Sequence, residues 1–208
     1  MYSLFRRPGT RVGRILALAL AVGLGACLTS DPPKISSTDL VQAKGLTGNF
    51  IATSLPEGAP GGPPPSDAEI VARDDGSYLL TFVEDGHRDS PTVVRLLKFE
   101  TGTFLGVLTD DKPDSAAMYA LVSRDAKGLW QFKAFDLRHD RRSDDLQPIL
   151  ARHGAGKLTF EDLGTDPVTT NDHFAGNLDA AQLRSLFKDP EFVAALTTDT
   201  GFRLEPKP

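Results

Sequence analysis

Between residues 70 and 135 the chain falls into short apolar stretches separated by turn residues, and this rhythm limits the fold more than any other feature. Ile70-Val71-Ala72-Arg73 and the run from Tyr78 to Val83 flank Asp74-Asp75-Gly76, a strong reversal signal. Asp85-Gly86 leads to the run from Val93 to Phe99, and Thr101-Gly102 turns into the run from Phe104 to Leu108. The stretches Met118 to Val122 and Leu129 to Phe135 are joined by Asp125-Ala126-Lys127-Gly128. Connections this short leave no room for crossover helices, so successive strands are expected to be antiparallel neighbours. The last stretch alternates most clearly: Trp130, Phe132 and Ala134 face one way, Gln131 and Lys133 the other. One side is read as core and the other as wet.

Around this ladder, residues 46 to 53 read as a first strand, and the proline- and glycine-rich run from Pro56 to Asp67 as a surface loop. The later chain adds helices. Ser143 is positioned to cap a segment from Asp144 to His153, and a strand is expected over Lys157-Leu158-Thr159-Phe160. Asp179 with Gln182 forms a capping box ahead of Leu183, Leu186 and Phe187, which share one helical face. Asp189-Pro190 starts another turn with Phe192, Ala195 and Leu196 inward, and Phe202 with Leu204 reads as an edge strand. The expected class is mainly β with C-terminal helices: an antiparallel meander of seven or eight strands, forming an up-and-down barrel or a curved sheet. Gly48-Asn49-Phe50 resembles the Gly-x-Trp of the lipocalins, with Phe in place of Trp. That resemblance implies a closed barrel. With the aromatic alternation, it makes a carrier of a small apolar ligand the alternative functional reading, lined by Phe82, Phe104, Trp130 and Phe132. Aromatics at strand spacing are more often plain core.

The start of the chain carries a different message. Arg6, Arg7, Arg11 and Arg14 precede an apolar run from Ile15 to Leu24 of 10 residues, half of the ~20 that a helix needs to cross a bilayer. Leu24-Gly25-Ala26-Cys27 follows and ends in the single cysteine of the chain. These four residues resemble the lipobox of bacterial lipoproteins: an aliphatic residue, two small residues and the cysteine whose thiol takes a diacylglyceryl group. The resemblance implies a signal peptide over residues 1–26 and lipid attachment at Cys27; with the composition that follows, residues 27–45 read as lipid anchor and tether and residues 46–208 as a single β-rich domain. Leu28 stands where lipoproteins retained at the inner membrane usually carry Asp, so the implied location is the outer membrane, facing the periplasm. Arg6-Arg7 does not continue as a twin-arginine signal, because Pro8 and Gly9 follow. Within the tether, one helical turn is expected from Thr38, ended by Gly45.

Removing residues 1–26 takes away four arginines and no acid, leaving 19 basic against 28 acidic residues and a formal charge of −9. Such a surface disfavours nucleic acid as a partner. With a single cysteine there is no internal disulfide, and stability has to come from packing. His87, His139, His153 and His173 lack the spacing of zinc ligands, and Asp110, Asp111 and Asp114 lack that of a calcium loop, so neither metal nor cofactor is expected. No serine lies in a Gly-x-Ser-x-Gly elbow, and a hydrolase would require His173, Asp172 and a hydroxyl to converge from a distance. Arg138, Arg141 and Arg142 form the one concentration of positive charge, suited to an anion or a partner's carboxylates, although Asp144 and Asp145 are there to neutralise it. The expected function is therefore that of a non-catalytic envelope lipoprotein, joined to the membrane through a diacylglyceryl cysteine and contacting another envelope protein.

Overall fold

A computed structural model describes residues 28–57, 64–84, 86–112, 115–137, 143–162 and 170–208. Cys27, the apolar run before it, Pro63 and Arg138, Arg141 and Arg142 lie outside these residues. The ladder read from the sequence is present as β2 (Gly48–Leu55), β3 (Ser66–Ala72), β4 (Tyr78–Glu84), β6 (Thr92–Glu100), β7 (Thr103–Asp110), β8 (Ala117–Arg124) and β9 (Trp130–Ala134), with β5 (His87–Arg88) a short addition to β4. The eighth member, β14 (Gly201–Pro206), pairs antiparallel with β2 on one side and β9 on the other. It was expected as an edge strand. Instead it closes the ring, and the fold is an eight-stranded antiparallel barrel.

Gly201 marks the closure. Its φ is +145°, and a Cβ there would collide with the Phe132 carbonyl, so only glycine lets β14 approach β9 this closely. Side chains alternate along every wall strand. Phe50, Ile70, Leu80, Leu96, Val122 and Leu204 fill the interior. Leu97, Leu105, Val107 and Tyr119 point outward from the same wall into a second core beneath the helices. This explains why β7 reads Phe-Leu-Gly-Val-Leu without a polar break: it is buried on both faces.

The excursion between β9 and β14 carries the helices. It contains β10 (Asp136–Leu137), α1 (Ser143–Arg152), β11 (Leu158–Asp162), β12 (Thr170–Phe174), α2 (Ala180–Leu186), α3 (Pro190–Ala194) and β13 (Leu196–Thr197), which pairs with β10. The caps predicted at Asp179 and Asp189 form, whereas Ser143, expected to cap the segment from Asp144, is itself the first residue of α1. The Asp179 carboxylate accepts the N–H groups of Ala181 and Gln182 while its own N–H donates to Gln182, and Asp189 accepts from Glu191 and Phe192 with Pro190 at the first position. Phe187 joins Tyr119, Phe135 and Phe192 in one aromatic cluster, with ring centres 4.8 to 5.5 Å apart.

The stretch expected as a tether is packed against the domain. Leu28–Ser30 forms β1, buried throughout, between β8 and β12. The helical turn lies earlier than expected: a 3-10 turn at Ser37–Asp39, with the Asp39 carboxylate accepting from the N–H of Ser36. Residues 40 to 46 then cross one end of the barrel as a strap. The N–H of Val41 donates to Leu96, Leu46 is wholly buried, and the N–H of Ala43 donates to the Tyr78 hydroxyl at 2.7 Å.

Candidate functional site

The four aromatics expected to line a pocket are all turned into the barrel, but they form two groups. At the strapped end Trp130 and Phe104 lie 6.1 Å apart. The Trp130 indole N–H donates to the Gly45 carbonyl at 2.9 Å, and the Arg124 guanidinium lies 4.4 Å above the ring. At the other end Phe82 and Phe132 meet through Phe202, which stacks on Phe132 at 4.8 Å and meets Phe82 edge-on at 5.5 Å. Phe202 lies between two small voids at this mouth. A void of about 20 Å³ lies toward Ala52 and Phe82, and one of about 30 Å³ toward Leu108 and Ala134. Each has room for a single water, against the roughly 300 Å³ or more of a small-molecule site.

A second constellation lies along the seam where β1 runs between β8 and β12. Thr29, Ser30, Tyr119, Asp136 and Asp172 are all buried there. The Tyr119 hydroxyl and Ser30 Oγ share a hydrogen bond of 2.6 Å, and burial pushes the phenol's pKa up. Burial, with the charge of Asp136 as a second cause, raises the Asp172 carboxyl to about 7. Thr200 donates its hydroxyl proton to Asp136 at 2.6 Å. On the other face of β1, Thr29 Oγ1 lies 3.1 Å from His173 Nδ1, and His173 Nε2 lies 3.1 Å from Asp31. Asp31 is held below the usual carboxylate range chiefly by the N–H of Gly176, with His173 adding to the effect.

Thr29, His173 and Asp31 thus bring a hydroxyl, an imidazole and a carboxylate into line, the arrangement that a hydrolase would need. The Asp172 main-chain carbonyl, 3.2 Å from the Thr29 hydroxyl, competes with His173 for its one proton. Thr29 is also only 6 % exposed, within a strand. The chain holds β1 in place. Burying a leucine contributes about 1.5–3 kcal/mol and each hydrogen bond about 1 kcal/mol, so β1 is not a segment that detaches readily.

A third cluster clamps the helices. Asp189 accepts from His153 at 2.9 Å and from Arg152 at 3.1 Å, and Arg152 also reaches Glu191. The His153 hydrogen bond is the largest cause drawing Asp189 down to about 2. Asp110 and Asp111 lie at the end of β7, where Asp111 pairs with Arg73 at the surface. Among the described residues no three His, Cys, Asp or Glu side chains gather as metal ligands do, and no helix is long and apolar enough to cross a membrane. Sequence reading named His173 and Asp172 but missed Thr29 and Asp31, which lie in the stretch taken for a tether. Comparison with known proteins finds no matching family model, no similar curated protein and no similar solved structure.

Proposed function

We propose that this chain is an exported envelope lipoprotein, acylated through Cys27 and held at the outer membrane facing the periplasm, whose barrel is a non-catalytic docking body for another envelope protein. The observation that carries the docking role is the packed interior. Phe82, Trp130 and Phe132 are each less than 8 % exposed, and the voids beside Phe202 are an order of magnitude too small for a ligand. Function then belongs to the outer surface. The feature best suited to a partner is β11, which pairs with β12 alone among the described strands and so presents a free edge. The Gln147 side chain already imitates a neighbouring strand at its start, accepting from the N–H of Leu158 and donating to the Gly156 carbonyl. An extended segment of a partner would continue that pattern along β11. The sequence adds Arg138, Arg141 and Arg142 as a concentration of positive charge suited to a partner's carboxylates. Photo-crosslinking in cells from Lys157 on the β11 side, and from Arg141, is expected to give one discrete adduct. Absence of any adduct at both positions would overturn the docking reading.

A lipocalin-like carrier is the second reading, favoured by the closed barrel and by the single ring of Phe202 that separates the two voids at its mouth. Titration with an apolar fluorophore distinguishes the two. The docking reading expects no saturable binding, and one-to-one saturable binding would replace it with the carrier.

A further inference from the structure

The chain has no slack between its acylation site and its folded body. Cys27 is joined by one peptide bond to Leu28, and consecutive Cα atoms are about 3.8 Å apart. Leu28 is 1 % exposed, donates its N–H to the Phe135 carbonyl at 2.9 Å and pairs with Asp172. The residues after it are held in turn. Ser30 is bonded to Tyr119, Asp31 accepts from the N–H of Gly176 at 2.8 Å, Asn177 donates to the Pro32 carbonyl and the N–H of Lys34 donates to Leu178. Were residues 28–35 free, they would extend about 28 Å from the membrane. Fixed as they are, they provide no spacer. We infer that the domain is seated directly on the lipid bilayer by the side of the molecule where β1 begins, instead of hanging clear of it. The inference rests on acylation of Cys27.

The topology says which side this is. β1 runs parallel to β12, so the Leu28 end of β1 points toward the end of β12 where its hairpin with β11 closes, at the pair Asp162–Thr170. On the other flank, Phe135 passes directly into β10, whose Asp136 pairs with Thr197 of β13. The wall farthest from this point is β3, four strands from β8 around the ring of eight. Attraction to anionic headgroups is not what holds the seat, because the chain beyond residue 26 carries a formal charge of −9. The acyl chains hold it, and the short link sets the orientation. Seated this way, the free edge of β11 lies beside the membrane, so a docking strand would have to approach along the bilayer surface.

The test uses the acylated protein in vesicles of phosphatidylethanolamine and phosphatidylglycerol that carry a headgroup-linked nitroxide quencher. A fluorescent label is attached to an introduced cysteine, the Cys27 thiol being consumed by its lipid. Thr159→Cys and Asp199→Cys place it at exposed positions on the two flanks of the β1 start, and Val71→Cys places it on the far wall, where Val71 is 48 % exposed. Labels at 159 and 199 are expected to be quenched several-fold more than the label at 71. Inserting about eight Gly/Ser residues between Cys27 and Leu28, which adds about 28 Å of reach, is expected to abolish the difference. Equal quenching at all three positions in protein that carries fatty acid overturns the seating and leaves acylation standing. Protein that incorporates no fatty acid overturns the acylation reading, and the seating with it.

Discussion

Inside the barrel, side chains such as Phe50, Ile70, Leu96 and Phe132 meet across a largely apolar interior, whereas the β1 seam gathers Thr29, Ser30, Tyr119, Asp136 and Asp172 out of water. The barrel is secured by area. Its strands are consecutive but for the one closing strand, and each adds a share of apolar burial that no single contact dominates. The seam depends on a few polar pairings between segments more than 140 residues apart in the chain. A region of the first kind tolerates changes of pH. One of the second kind responds to pH, because a buried carboxyl must find a partner or keep its proton.

The largest expected effect lies in the barrel. Trp130→Ala removes a side chain only 5 % exposed, together with its hydrogen bond to Gly45, and is expected to cost about 3–5 kcal/mol, read as a shift in the urea midpoint. A loss under about 1 kcal/mol would mean that the strapped end is not closed by this residue.

Next in size is a response confined to the seam. The Asp172 pKa is raised to about 7 in the folded protein, by burial first and by Asp136 second. The folded state therefore binds the extra proton, and stability falls as pH rises from about 4 to 7, by at most about 1.4 kcal/mol per pH unit, then levels off. Asp172→Asn is expected to flatten that slope and to raise stability above pH 7. An unchanged slope in urea titrations across the window would contradict the seam's electrostatics, while Trp130→Ala is expected to leave the slope unaltered.

Ser30→Ala is the smallest of the three, expected to cost about 1 kcal/mol by leaving the buried Tyr119 hydroxyl without its 2.6 Å partner. Combining it with Tyr119→Phe in a double-mutant cycle is expected to recover part of that cost, because both polar groups are then gone. Additive losses would show that the two hydroxyls are not coupled.

The same contrast governs what was legible in the sequence. β4, β6, β7, β8 and β9 were readable because alternation and turn residues are local signals, and the caps at Asp179 and Asp189 were readable for the same reason. β14 was taken for an edge because nothing local tells a closing strand from a terminal one. Its partners β2 and β9 lie about 150 and 70 residues away. β1 was hidden by its setting. Three residues ahead of Asp31-Pro32-Pro33 have the composition of a linker, and the strands they pair with, β8 and β12, are far away in the sequence. β12, Thr170–Phe174, carries one apolar residue in five and gives no strand signal alone. Phe82, Phe104, Trp130 and Phe132 lie inside the barrel, but sequence spacing says nothing of volume, and it is Phe202 from the far end of the chain that fills the mouth between Phe82 and Phe132.

Acylation of Cys27 underlies both the proposed function and the seating of the domain, and it is tested by growing cells with radiolabelled fatty acid and fractionating their membranes. Wild-type protein is expected to take up label and to stay with the membrane through a high-salt wash, since each buried methylene contributes about 0.8 kcal/mol and two or three acyl chains anchor a protein stably. Cys27→Ser is expected to take up none and to keep its signal segment, while its domain still folds. A wild-type protein that carries no label, or that salt releases from the membrane, would contradict the account.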